Sequence, residues 1–535
     1  MKKDLDEINL VYNGQKLGIR VDFKDPAFQV DPIFSDHDIN LKITCLSLNP
    51  FPGYFIDLND FPKLETFYGE CCELRVDPSH PSLKTVILNL VTFSTLPINL
   101  IKLFAINCKI RMIGNHPKLE ALKVLSLKST QLHFDFTSLF RVVWNDDLKH
   151  FSYTIQWDRD DDEYRMIMEE DEVLTMVGPQ MTSLGFPGPI SARIPTLLRS
   201  LYSLYGGSLQ NLTTFTQMSS LTLWEPSGDI NDCKLPPNLI NLTLHKPRGI
   251  IGYNFSLPAS LRKLSIQWAQ FEDLEEFFPP EIVDLELACC EIELTDEWLK
   301  PARLKRLSLE TNAVLTFKAF LPCCEHLCLS DNSLTELQIE APVLEYINLT
   351  GSNLKVIPKL PDSLQVLVMR FGELELSQIS ELPPNLKVLD LFSGGIGAFQ
   401  NYTFPSSIQE LHLKYLNLSC MSGVKFAKGS RLRELDMGYS NLMTINNRMI
   451  ELPLGLNELT LYDNDLQNID DLTIPQTVTF LDLSSNKFSS LKVKSHIETL
   501  SLKGNSALSG LTIPKDLELR ALDLKGLDLI NCHLI

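Results

Sequence analysis

The sequence predicts a right-handed parallel β-solenoid, and three observations predict it. A short apolar template recurs at near-constant spacing, a polar residue holds one fixed place in it, and a proline precedes many of its copies. The template is clearest in Leu452 to Leu466, LPLGLNELTLYDNDL. Leu459 and Leu461 alternate as the inward face of a short strand must, Leu456 and Leu466 flank them, and Asn464 stands where the strand turns away. An asparagine there offers both a donor and an acceptor to backbone groups that a corner would leave unpaired. One such unit buries almost nothing alone, so the pattern requires neighbours of the same kind.

Those neighbours are present. Fourteen starts fall between Leu239 and Leu519, including Leu304, Leu364, Leu386, Ile408, Leu432 and Leu456, at a mean period of about 21.5 residues. The pattern L-x-x-L-x-L-x-x-N-x-L at this period is identified as that of the leucine-rich repeat superfamily. That resemblance implies one continuous parallel sheet on the concave side of the solenoid. Proline stands just before the strand in LPPNL at 235, LPASL at 257, LPDSL at 360, LPPNL at 382 and LPLGL at 452. Its fixed φ and missing donor favour turns, extended stretches and 3-10 segments, rather than long helices, on the convex side.

Taken in order, residues 1–40 predict a β-hairpin cap: Ile8, Leu10 and Tyr12 alternate, Asn13-Gly14 offers a tight turn, and Leu17, Ile19 and Val21 alternate again. A cap is needed because the first repeat would otherwise turn an apolar end to water. Residues 41–157 hold degenerate repeats, such as Leu83, Val86 and Leu88, then Leu100, Leu103 and Ala105, with Leu148, Phe151 and Tyr153 as a weaker copy. Residues 158–217 form an acidic excursion with irregular repeats. Asp158 to Glu172 carries nine acids against two arginines, a net charge of −7, which no buried strand tolerates. It is either a docking strip for a basic partner or a solvated loop. Residues 218–535 are regular repeats with a short C-terminal end.

The L-P-x-x-L-x-x-L-x-L form resembles the repeats of bacterial IpaH-type effectors and, more loosely, those of some yeast and amoebal repeat proteins. In the effectors such repeats recognise substrate, and a separate C-terminal domain transfers ubiquitin. Only Ile530 to Ile535 follow the last repeat here, so that activity is not expected. The F-box/leucine-rich family is the other comparison, and implies a substrate-recognition subunit of a ubiquitin ligase. Its F-box helices have no counterpart in residues 1–40.

The balance of 67 acidic to 48 basic residues, a formal charge of −19, repels phosphate backbones and anionic lipid, so neither nucleic acid nor membrane is expected as a partner. The start MKKDLDEINLVY carries no apolar leader, and no run approaches the ~18 apolar residues of a bilayer span. A receptor-like ectodomain is the remaining alternative, and would need a leader and cysteine-bonded caps. The 12 cysteines include no C-x-x-C pair, and Cys72, Cys108 and Cys290 fall at the asparagine place of their repeats, as buried thiols would. Reduced thiols agree with the cytoplasm. No phosphate loop, zinc-protease helix or nucleophile elbow occurs. The expectation is therefore a monomer without catalytic residues, cofactor or metal.

The informative surface is the concave face, where alternate strand residues point away from the core. The two residues after each strand's last core position give Trp268, Phe371, Phe392, Tyr415, Tyr439 and Tyr462. The last five come from successive repeats and should form a ladder along one edge of the sheet. Outward strand positions beside it give Asp390, Glu410, Glu434, Asp436, Glu458 and Asp482. Aromatic rings concentrate binding energy and carboxylates select a basic partner. The alternative is that the rings only stack to cover the sheet edge. The expected function is a non-enzymatic scaffold that binds a partner protein, through a basic and partly apolar segment, on this face.

Overall fold

The structure, a computed structural model, describes residues 8–13, 16–22, 43–49, 54–111, 117–128, 131–132, 148–154, 182–187, 198–204, 212–226, 228–272, 277–290, 292, 303–370, 374–375, 382–392, 399–492, 496–513, 521–523 and 533–534. The acidic stretch 158–172 and Phe371 lie outside them. The chain divides into two units, Met1–Leu261 and Arg262–Ile535. Each is a parallel β-solenoid of leucine-rich repeats.

In the first unit Ile8–Asn13 and Lys16–Asp22 form the antiparallel hairpin, with Ile8 opposite Val21 and Asn13 opposite Lys16. Lys16–Asp22 then pairs in parallel with Ile43–Asn49, so the first repeat strand does not end in an open edge. Parallel neighbours follow through Thr66–Glu70, Thr85–Asn89, Lys102–Ile106, Val124–Lys128 and His150–Thr154. The register that fades in the sequence after Tyr153 continues in space, because His150–Thr154 pairs with Ser183–Pro187, that strand with Ser200–Leu204, and that one with Ser220–Trp224. Leu184, from a repeat whose register the sequence leaves unfixed, is buried there.

In the second unit Lys263–Gln267, Asp284–Ala288, Arg306–Ser308, His326–Cys328 and Tyr346–Asn348 pair successively in parallel. Val366–Arg370, Val388–Phe392, Glu410–Lys414, Glu434–Asp436, Glu458–Thr460, Phe480–Asp482, Thr499–Ser501 and Ala521–Asp523 continue the same sheet.

Among the described residues the return side has no α-helix. It carries the 3-10 turns Leu58–Asp60, Leu212–Thr214 and Ile230–Asp232, together with short extended pieces. Those pieces pair with one another, as Tyr54–Asp57 does with Cys72–Arg75 and Thr316–Phe320 with Glu336–Glu340. Returns of equal length stack at the spacing of the main sheet, so extended backbones come within hydrogen-bonding reach. The prolines do more than forbid helix. Pro258, Pro361, Pro383, Pro453 and Pro475 each accept, through the carbonyl, the N–H of the residue three places on, at 3.0 to 3.1 Å. That turn aims the chain into the next strand.

The core is the stacked leucine template: Leu456, Leu459 and Leu461 are fully buried, as are Leu432, Leu435 and Met437 one repeat earlier. Burial of each such side chain stabilises by about 1.5–3 kcal/mol. Where the template is broken it is compensated locally. Gly69 occupies a leucine position because the Phe67 ring fills the space, and a Cβ there would come within 2.6 Å of that ring.

Polar satisfaction runs beside this core as a ladder. Asn464 accepts from the N–H of Ser440 and Leu442 at 3.0 Å, and its amide donates to the carbonyls of Met437 and Leu461 at 3.0 Å. It therefore closes its own corner and the preceding repeat's together. Asn312, Asn332, Asn486 and Asn505 repeat the arrangement. Ser440 and Cys290, smaller residues at the same place, keep only the donor half, to Leu413 at 2.7 Å and to Ala288 at 3.1 Å. Burial pushes the Cys72 thiol up to about 12 and the Cys108 and Cys290 thiols up to about 11, so they stay protonated, and Cys108 and Cys290 donate to backbone carbonyls.

In the repeats described at that point, the residue two places beyond the last core position is left-handed. Cys71, Leu90, Asn107, Trp268, Thr311, Asp331, Tyr415, Tyr439, Asp463 and Ser485 have φ between 51° and 57°. In that conformation the N–H still points to the next repeat: Trp268 donates to Ala288 at 2.9 Å, Tyr415 to Gly438 at 3.2 Å and Tyr439 to Tyr462 at 3.0 Å. The backbone strain is held by a hydrogen bond at every corner.

Two predictions follow from these ladders. Replacing Asn464 by Ala strands the N–H groups of Ser440 and Leu442, so equilibrium unfolding should show a loss of about 2–4 kcal/mol from several buried groups left unpaired. Asn464→Asp should fare no better, since it restores the acceptor but buries a charge without its donors. The second concerns His80, whose Nδ1 accepts from Leu83 N at 3.1 Å, which places its proton on Nε2 facing the Phe61 carbonyl at 3.2 Å. Burial lowers its pKa, with the Phe61 hydrogen bond opposing. The unfolded chain then binds the proton more tightly. Its contribution is present above the unfolded value of about 6.5 and is lost as pH falls below it. Urea midpoints measured between pH 7.5 and 5 should fall less in His80→Gln than in the wild type.

Candidate interaction face of the second unit

The site grows out of three outward positions per strand. The first gives Val388, Glu410, Glu434, Glu458 and Phe480 on successive strands, and the second gives Asp390, His412, Asp436, Thr460 and Asp482. Beyond them, at the corner, stand the aromatic residues.

The rings form one column. Phe392 lies 4.6 Å from Tyr415, Tyr415 stacks on Tyr439 at 4.2 Å and 12°, and Tyr462 meets Tyr439 edge-on at 5.0 Å and 84°. They do not share one register. Phe392 and Tyr462 follow the last core residue directly, whereas Tyr415 and Tyr439 sit one place later, in the left-handed corner. The column closes because Gly438 leaves room between them, and a Cβ built on it would clash with the Tyr462 ring. The Arg370 guanidinium caps the Phe392 end, 6.0 Å from the ring centre. Trp268 holds the same corner position and is 58% exposed. It is separated from the column by repeats that carry Cys289, Thr311, Asp331 and Gly351 at that corner. Phe371 lies outside the described residues, so the column runs from Phe392 to Tyr462.

The carboxylates fall into two kinds. Asp390 is buried and takes the guanidinium of Arg370, whose Nε donates at 3.1 Å. Asp436 is buried too, with one oxygen accepting from Gly438 N at 3.0 Å and the other 2.8 Å from Lys414 Nζ. Asp482 accepts from Ser484 N at 2.9 Å. These three aspartates are thus already engaged, Asp390 and Asp436 with a basic residue of the preceding strand and Asp482 with the backbone two residues on. Burial opposes the charge of Lys414, but the hydrogen bond and attraction from Asp436 prevail and raise its pKa above the ordinary lysine value.

Glu410, Glu434 and Glu458 are different, because they stand side by side on three strands with Glu410 opposite Glu434 and Glu434 opposite Glu458. Burial raises the pKa of Glu434 most; the His412 imidazole pulls it down, while Glu458, Glu410 and Asp436 add to the rise. This row is an excess of negative charge beside the rings. The phenol of Tyr439, hydrogen-bonded to Tyr415 and close to the Asp463 carboxylate, is pushed up to about 12 and stays a neutral donor.

Sequence reasoning did not single out Arg370, His412, Lys414 or Gly438. The alternation Glu410-x-His412-x-Lys414 on one strand was the available signal for two of them. The pairing of Arg370 with Asp390 and the close approach of Tyr462 to Gly438 join different repeats, and no local spacing reveals them.

No protein-family model matches the chain, and no curated protein is similar to it in sequence. Solved structures are. CroV588, a circular leucine-rich repeat protein, aligns over 96% of this chain and 79% of its own with 15% identity and a TM-score of 0.50. TLR13, in its complex with ssRNA13, aligns over 91% of this chain and 82% of its own with 15% identity and a TM-score of 0.57. YopM from Yersinia enterocolitica aligns over 92% of this chain and 86% of its own, with 16% identity and a TM-score of 0.40. Among the described residues no helix is long and apolar enough to cross a membrane. Repeat template, asparagine ladder and structural likeness agree, and the chain has the leucine-rich repeat solenoid fold.

Proposed function

We propose that the chain is a non-enzymatic protein-interaction scaffold, holding a basic and partly apolar segment of a partner protein on the face between Phe392 and Asp482. One observation carries the reading: two rings of the aromatic column, Tyr415 and Tyr439, stand at a strained corner. Any residue but glycine costs free energy there, and Asn and Asp suffer least. Asn107, Asp331 and Asp463 occupy that corner in other repeats and Gly351 does in another, but here two consecutive repeats carry tyrosine. Tyr415 is 43% exposed in spite of its stacking, which leaves ring surface for a partner. The free glutamate row beside it attracts a basic side chain and speeds encounter.

The rings and the backbone can be tested separately. Asn tolerates the left-handed corner, so the double variant Tyr415→Asn, Tyr439→Asn should unfold within about 1–2 kcal/mol of the wild type, strain relief offsetting lost stacking. Proximity labelling in cells with that variant should lose a discrete set of partners. An unchanged set would mean that the rings are structural cover. Gly438→Ala makes a finer probe, because it keeps every ring but displaces Tyr462. It should weaken capture of the same partners roughly as Tyr462→Ala does, by about 1–2 kcal/mol in affinity. Gly438→Ala binding like the wild type would take Tyr462 out of the site.

A further inference from the structure

We propose that Glu410, His412 and Glu434 form a binding site for one divalent transition-metal cation of the zinc class. The inference rests on the ligand set and not on the partner reading above. Glu410 and His412 lie two apart on Glu410–Lys414 and so point to the same face, and Glu434 stands opposite Glu410 on the next strand. One ligand atom from each lies within 4.8 Å of the other two. Coordination at about 2.0–2.2 Å brings tetrahedral ligand atoms to about 3.4 Å apart. Small rotations of the two glutamate side chains, on a sheet that fixes their backbones, cover that difference.

Two features separate this set from an ordinary acidic patch. The first is the imidazole. An imidazole with two carboxylates is a borderline donor set that suits zinc, cobalt or manganese, whereas oxygen ligands alone would suit calcium or magnesium. His412 turns Nδ1 toward Glu434 Oε1 at 3.8 Å, too long for a hydrogen bond, and its side chain is only 19% exposed. The second is the distribution of counter-ions. Asp390 has Arg370 and Asp436 has Lys414, but among the described residues no side-chain hydrogen bond is made by Glu410, His412 or Glu434. Every other carboxylate around the imidazole is paired or, like Glu458, one strand further away, so the missing positive charge is localised on these three groups. Three protein ligands leave one position for water or for a group from a bound partner.

Cobalt(II) titration of the full chain, freed of metal and with its thiols reduced, tests the site. The expected result is uptake of one equivalent, with visible d–d bands but no thiolate-to-cobalt charge transfer, and displacement by zinc. His412→Gln and Glu434→Gln should each weaken uptake roughly tenfold or more, since even outer-shell losses cost that much, and the melting midpoint should not move. Glu336→Gln, on the return side, should bind as the wild type does. Should His412→Gln prove unstable, Glu410→Gln at its exposed position carries the same test. Absence of stoichiometric uptake by the wild type, a spectrum owed to thiolate alone, or undiminished uptake in these variants would overturn the proposal.

Discussion

Where a described repeat carries the corner asparagine, that side chain closes it against its neighbour. Asn464 satisfies Ser440 and Leu442 behind it as well as Leu461 in its own turn, and Asn486 in turn donates to Leu461 and accepts from Leu466. A buried backbone N–H that loses its partner costs more than an ordinary hydrogen bond contributes, so a repeat built around a corner asparagine depends on that side chain. Leucine can be exchanged for isoleucine, methionine or phenylalanine, as at Ile408, Met437 and Phe67, because apolar volume is roughly interchangeable. A donating Asn, Ser or Cys holds the corner at Asn312, Asn332, Ser440, Asn464, Asn486, Asn505 and Cys290, whereas Val91, Ala269 and Leu416 fill it with apolar volume in other repeats.

The same inter-repeat bonding sets the cost of the candidate site. The left-handed corner exists so that its N–H can reach the following repeat. In most repeats it carries a residue that projects little. Tyr415 and Tyr439 place large rings there, and the ladder that makes the corner also holds successive rings at stacking distance. A column of rings on a solenoid is thus a direct product of the repeat period, given aromatic residues in successive units. Gly438 completes it by letting Tyr462, from a different position in its own repeat, lean into the same line.

Charge on this face is divided by depth. Asp390 and Asp436, at the central outward position, are buried and would be costly without Arg370 and Lys414; each pair joins two neighbouring strands. The glutamates at the strand entry are nearer to solvent and keep no such partner, and their mutual repulsion is left in place. On this face the unpaired negative charge therefore gathers beside the rings and the His412 imidazole. A lysine-rich segment or a metal ion would answer the same electrostatic need there, and both remain proposals.

The sequence alone determined what periodicity can encode. Leu456, Leu459, Leu461 and Asn464 specify strand, core and corner because strand alternation and corner chemistry are local, and repetition of the template leaves only a stack of parallel strands. The hairpin at Ile8–Asp22 and the ring positions were legible for the same reason. The tertiary structure decided what depends on neighbours some twenty residues away. It showed that Phe151 and Leu184 stay in register although their leucine pattern fades, because backbone pairing tolerates larger or smaller core residues. It tied Asp390 and Asp436 to basic residues of adjacent repeats and left the glutamates free. Which charges cancel is fixed by distances across strands, and a one-dimensional spacing contains no such distance.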